Sequence, residues 1–168
     1  FNKAVSLKYE LHQGISLVMK SMIFGLITDL WGDAPYSQAL KGELSSQETT
    51  FPVFDPQQKI YEGIFADLEA ANTLLSKPQS EYTGRVDAAD LYYGGDASKW
   101  RKLANSLALR YYMGISVKTP EVAKAGIEKL ANNAAQYPLI TTVSEDATMG
   151  FPGNSDGDSW PSNATYNS

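Results

Sequence analysis

The 168-residue sequence predicts an all-α fold of antiparallel helical hairpins with long loops. Three observations carry that expectation. Apolar residues recur at helical spacing in four separate stretches. Two of those stretches open on a cap residue followed by proline, at Asp55-Pro56 and Thr119-Pro120. Nowhere does the chain show a convincing alternation of apolar and polar residues, the mark of a half-buried strand.

The first helix is expected over 3–30, with Leu11, Ile15, Val18, Met22 and Leu26 on one face. It ends at Trp31-Gly32-Asp33-Ala34-Pro35-Tyr36, where glycine and proline make a turn and Trp31 and Tyr36 seal the helix end. Within it, 15–30 is the most apolar run. Lys20 and Thr28-Asp29 interrupt it, so no run is expected to cross a bilayer. Residues 41–50 are polar and read as loop. The second helix starts at Asp55 as cap, with Ile60, Ile64, Leu68, Ala71 and Leu75 inward and Pro78 at its exit.

A polar connection at 79–85 leads to the stretch around which the chain is organised, 90–116. Gly94 and Gly95 form a turn that asks for backbone angles costly to other residues, and Asp96 caps the helix that follows. Trp100, Leu103, Ala104, Leu107, Tyr111 and Ile115 share its main face, while Leu109, Tyr112 and Met113 add a second apolar surface. A helix apolar on two sides is packed on two sides, so this one is the inner helix. The fourth helix follows Thr119, with Val122, Ala123, Ile127, Leu130 and Ala134 inward, and ends at Tyr137-Pro138. The expected division is therefore a helical scaffold of tetratricopeptide-like pairs over 1–140 and a loop-rich tail over 141–168. The two proline starts lie too far apart for regular repeats of roughly 34 residues, so a stretched version of that repeat is expected. The chain opens on Phe1 and stops in SNATYNS, and it reads as a piece of something longer.

A net charge of −5 argues against a nucleic-acid partner. The absence of cysteine excludes disulfides, thiolate zinc sites and cysteine nucleophiles. No phosphate-binding loop, dinucleotide fingerprint or zinc-protease motif occurs, so no cofactor is expected. His12, the only histidine, has Lys8 and Ser16 where a helical metal-ligand pair would need a partner. It reads as a surface or core-edge residue, and no metal site is assigned. Asp29, Asp33, Asp87, Asp90 and Asp96 are the carboxylates a glycosidase could draw on, but turns and caps account for all except Asp29. Asp29 falls on the side of Leu11, Val18 and Met22, and a buried carboxylate needs a partner, so an Asp29–Arg110 ion pair is expected between the first and third helices. Asn154-Ser155-Asp156-Gly157-Asp158 resembles a calcium loop without the spacing or distal glutamate of an EF-hand. Among ten tyrosines and three tryptophans, Tyr82, Phe151 and Trp160 stand in polar, loop-like context and are the candidate ligand contacts.

Three blocks then align with a known family. Thr28-Asp29-Leu30-Trp31-Gly32-Asp33-Ala34-Pro35-Tyr36-Ser37-Gln38-Ala39-Leu40 resembles the TDLWGDxPYSEAL segment of SusD/RagB-type outer-membrane nutrient-binding lipoproteins. Phe54 to Tyr61 with Asp67 to Ala71 is similar to a second family block. The third is Asp90 to Asp96 with Lys99-Trp100, Leu103 to Leu107 and Leu109-Arg110, the YGGD…KW…NSL…LR pattern of the SusD-like branch. The resemblance implies a surface lipoprotein of a Gram-negative bacterium that captures a glycan, or in some relatives a peptide. It would pass the cargo to a SusC-like TonB-dependent transporter without breaking a bond. The lipid-bearing cysteine of the family has no counterpart in this sequence. By the same resemblance Asn105 is a helix-to-loop hydrogen-bonder, semi-exposed on the inner helix. The other classes weighed are a stand-alone helical-repeat adaptor that binds protein segments and a glycan-degrading enzyme.

Overall fold

A computed structural model of the chain describes residues 1–42 and 50–151. A short helix α1 (Asn2–Ser6) precedes α2 (Glu10–Trp31), and Lys8 at φ 56° turns the chain between them, so the expected single helix is two. A two-residue antiparallel ladder follows, β1 (Ala34–Pro35) with β2 (Phe54–Asp55), in register Ala34 to Asp55. Then come α3 (Gln57–Leu74), α4 (Ala97–Gly114) and α5 (Pro120–Asn132). The chain is mostly helical, as its periodicity predicts, and the small ladder is the only strand pairing among the described residues.

Helix α4 packs against α2, α3 and α5 and is the inner helix. Trp100, Leu103, Ala104, Leu107 and Tyr111 are all buried on it. Met113, expected on a second apolar surface, is exposed. On α5, Ala123, Gly126 and Leu130 are buried while Val122 faces out, and Ala134, expected inward on this helix, lies exposed beyond its end. The reason is Tyr112: its ring lies where a Gly126 side chain would be, 2.4 Å from an ideal Cβ, and turns the glycine face of α5 inward.

Helix α2 is rotated from expectation in the same way. Its buried residues are Leu11, Gly14, Leu17, Val18, Ser21, Phe24, Gly25 and Thr28. Leu26, expected inside, is 61% exposed. Small residues let helices approach closely: Leu75 sits on Gly14 and the Tyr111 hydroxyl sits on Gly25, which forces the larger Leu26 outward. At 22 residues α2 is also long and apolar enough to cross a bilayer by length and composition, which corrects the sequence expectation; here one of its faces joins the core.

That rotation exposes Asp29. Its Oδ1 accepts the Tyr61 hydroxyl of α3, and no ion pair joins it to Arg110, which is itself exposed. The expected Asp29–Arg110 bridge is therefore absent, because an exposed carboxylate has water as an alternative and needs no buried cation.

Capping at the α2–α3 junction is exchanged between two aspartates. Asp33 Oδ1 accepts the Gln57 amide at 2.9 Å, supplying the cap expected from Asp55. Asp55, buried, instead accepts the Tyr36 amide at 3.2 Å, the Ser37 amide at 2.7 Å and Lys59 Nζ at 2.6 Å. Lys59 and these amides hold its carboxyl well below the usual carboxylate range.

The segment after α5 is sewn onto α4. Asn105 donates to Asn72 Oδ1 at 3.1 Å and to the Pro138 carbonyl at 3.0 Å. It bonds to a loop as expected, but it is buried and not semi-exposed. Ile140 N–H donates to Ser106 Oγ, and Tyr93 Oη donates to the Glu145 carbonyl. Lys102 pairs with the Glu145 carboxylate, whose pKa falls to about 2 chiefly through that bond.

Acid should therefore unfold this chain through specific groups. Asp55 and Glu145 have folded pKa values below their unfolded ones, so their contribution is complete above about pH 4.5 and is lost as pH falls toward about 2. Glu145→Gln and Asp55→Asn should each flatten the dependence of stability on pH across that window, read by denaturant melts at pH 5, 3.5 and 2.5. Unchanged pH slopes would show that other groups control acid unfolding.

Candidate functional site

The candidate residue Tyr82 lies in the connection between α3 and α4, beside an open groove of about 840 Å³. One wall is the 77–87 connection. The other is the turn at 94–96 leading into α4.

Asp90 builds the second wall. Its Oδ1 accepts the amides of Tyr92 and Tyr93 at 3.0 and 3.2 Å. Its Oδ2 accepts the Gly95 amide at 2.8 Å and the Trp100 indole N–H at 2.6 Å. Four donors converge on one carboxylate. Burial alone would raise its pKa, but the indole and amide bonds hold it below the ordinary aspartate value. Gly94 and Gly95 take φ of 60° and 84°, as the two-glycine turn predicts. Asp96 accepts the Lys99 amide at 3.1 Å and caps α4, also as predicted. Trp100 is buried beneath the turn, with the Tyr92 and Tyr93 rings edge-on to it.

Gln79 fastens the first wall to the second. Its amide group donates to the Gly95 carbonyl and accepts from the Ala97 amide, both at 3.0 Å. Tyr82 is half-buried and not freely exposed. Its hydroxyl donates to the Leu74 carbonyl and accepts the Lys77 amide, each at 3.0 Å, so it closes the end of α3. Burial pushes its phenol pKa up. Arg85 and Asp87 pair with each other on the groove's exposed side, and Ser80 and Ser98 add hydroxyls to its lining. These groups can donate and accept hydrogen bonds to a polyhydroxyl ligand beside one aromatic edge.

Of the other two candidate contacts, Phe151 is half-buried, and Trp160 lies outside the described residues, as does the 154–158 acidic loop. Among the described residues no group of three His, Asp or Glu is arranged to hold a metal. The His12 ring lies tilted against that of Tyr9, with Nδ1 buried and no hydrogen-bond partner. Sequence reasoning missed Asp90 as the organising group, although an aspartate four residues before a glycine pair and ten before a tryptophan was in view. It also missed Trp31, which does not seal its helix but stands 71% exposed.

A family model described as SusD-like, starch-binding and associating with the outer membrane, matches residues 2–164. A solved SusD homolog from Bacteroides uniformis aligns over 91% of this chain at 27% identity, with a TM-score of 0.75. One from Bacteroides fragilis aligns over 87% at 26% identity and a TM-score of 0.69. A solved chitin-binding protein aligns over 84% at 34% identity and a TM-score of 0.64. This chain spans 30%, 29% and 28% of those three. No curated protein matches.

Proposed function

The chain belongs to the SusD-like family, described as starch-binding and associating with the outer membrane, and from that premise we propose that it serves a surface lipoprotein that captures glycan. The captured glycan passes to a SusC-like TonB-dependent transporter, and the lipid anchor lies outside this sequence. The match over residues 2–164 carries this reading. Within it, 1–140 acts as the scaffold, and the tail from 141 onward leads toward the cargo-contacting portion. Tyr82, Phe151 and Trp160 are the proposed cargo contacts.

The relative that binds chitin makes a β-1,4-linked N-acetylglucosamine polymer the first cargo to try. Retention of the chain on chitin, with calorimetric binding of its soluble oligosaccharides, is the expected result. Trp160→Ala or Phe151→Ala should weaken it about tenfold, the effect expected for an aromatic face stacked on a ligand. Absence of binding to chitin, starch and other plain glucans would count against glycan capture by this segment. Co-purification with the barrel encoded beside it tests the transporter hand-off separately.

A further inference from the structure

The opposite end of the helical layer, where α2 and α4 finish and α3 and α5 begin, holds a second open groove of about 810 Å³. We propose that this groove docks a protein segment in which apolar residues flank a lysine or arginine. The inference goes beyond glycan capture and holds whichever cargo is bound.

Charge is the first argument. Asp29, Asp33 and Glu62 line the groove, with Lys118 the one cation among its described lining residues. Asp29 is held in place by the Tyr61 hydroxyl and Asp33 by the Gln57 amide, so both carboxylates are fixed before any partner arrives. Like charges gathered in one groove attract a cationic segment and repel an anionic lipid or nucleic acid. A neutral sugar gains no such attraction.

The apolar surface is the second argument. Tyr61, Phe65 and Ile115 lie in the lining, with Phe65 stacked on Tyr112 at 4.0 Å between ring centroids. Directly beside lining residues in the chain stand Trp31, 71% exposed, Met113, 61%, and Val117, 92%. Val122 of the lining is itself 53% exposed. Large apolar side chains thus stand exposed on three helices, α2, α4 and α5, and on the α4–α5 connection, each in the groove lining or next in the chain to a lining residue. Aliphatic groups such as valine and methionine match another protein's side chains better than a hydroxyl-rich ring. Trp31, exposed and next in the chain to Gly32 of the lining, is of the residue type that anchors protein contacts.

The test titrates the isotope-labelled chain with a short amphipathic leucine–lysine peptide, with its leucine–glutamate twin and with a chitin oligosaccharide, following backbone amide shifts. The lysine peptide should bind saturably and shift Gly32, Gly114 and Lys118, while the glutamate twin should not. Glu62→Lys should weaken binding about tenfold and Lys118→Glu should tighten it, since both sites are exposed and act through charge. Amide spectra of both variants verify that they are folded. Equal binding of the glutamate twin would overturn the proposal. So would shifts confined to other surfaces, binding of the sugar alone at these amides, or self-association of the chain through them.

Discussion

Asp90→Ala is expected to destabilise the chain by about 3–4 kcal/mol, the largest loss foreseen for a residue outside the apolar core. Two carboxylate oxygens hold four N–H donors, three from the backbone turn and one from the buried Trp100. Hydrogen bonds to a charged acceptor contribute about 1.5–3 kcal/mol each, and they do not add fully when they share one acceptor. Alanine leaves all four donors to find water in a turn that is partly closed by Gln79. Asp90→Asn separates charge from geometry: it keeps one acceptor oxygen but turns an NH2 toward two donors, so it should recover less than half the loss. Chemical denaturation of both variants, with Trp100 fluorescence as the local report, decides the matter. An alanine variant within 1 kcal/mol of the parent would show that the turn is held by its glycines and by Gln79.

Gly25→Ala should lower stability by about 2 kcal/mol, although alanine is the better helix former by about 1 kcal/mol. A Cβ at position 25 would stand 2.2 Å from the Tyr111 hydroxyl oxygen and 2.4 Å from its ring carbon. Tyr111 is buried and its hydroxyl also donates to the Ser21 carbonyl, so neither ring nor helix can withdraw cheaply. Gly114→Ala provides the opposite case. Nothing lies within 4 Å of its Cβ, and the same substitution there should be neutral or stabilising by about 0.3 kcal/mol. Thermal melts of the two variants should move in opposite directions. A double variant, Gly25→Ala with Tyr111→Leu, should show coupling, because the smaller side chain vacates the contested space. Equal shifts for both glycine variants would mean that α2 and α4 are not in close contact.

The contrast between those two glycines shows what the sequence could reveal. Helices α3, α4 and α5 were legible because each begins with local chemistry: proline near the start, or an aspartate cap after a glycine turn. The inner position of α4 was legible because large apolar residues mark its main face. The buried face of α2 was not. Gly14, Ser21, Gly25 and Thr28 score as weakly apolar or polar, and their value lies in the volume they leave for Leu75 and Tyr111. Nothing in the sequence states which large side chain a glycine admits. The Asp29–Arg110 pairing failed for the same reason, since it assumed the more apolar side of α2 was the inner one. Tyr82 was legible as an aromatic in a polar connection, while the two hydrogen bonds that fix its hydroxyl depend on how α3 ends in space.

The exchanged aspartates at the α2–α3 junction make the start of one helix conditional on the end of another. Gln57 finds its acceptor 24 residues upstream, and the turn after α2 finds its own on Asp55. Neither segment completes its backbone bonding while the two are apart, so ordering at this corner is shared between them. Cutting the chain between 42 and 50 would thus take from α3 an anchor that its own residues do not supply.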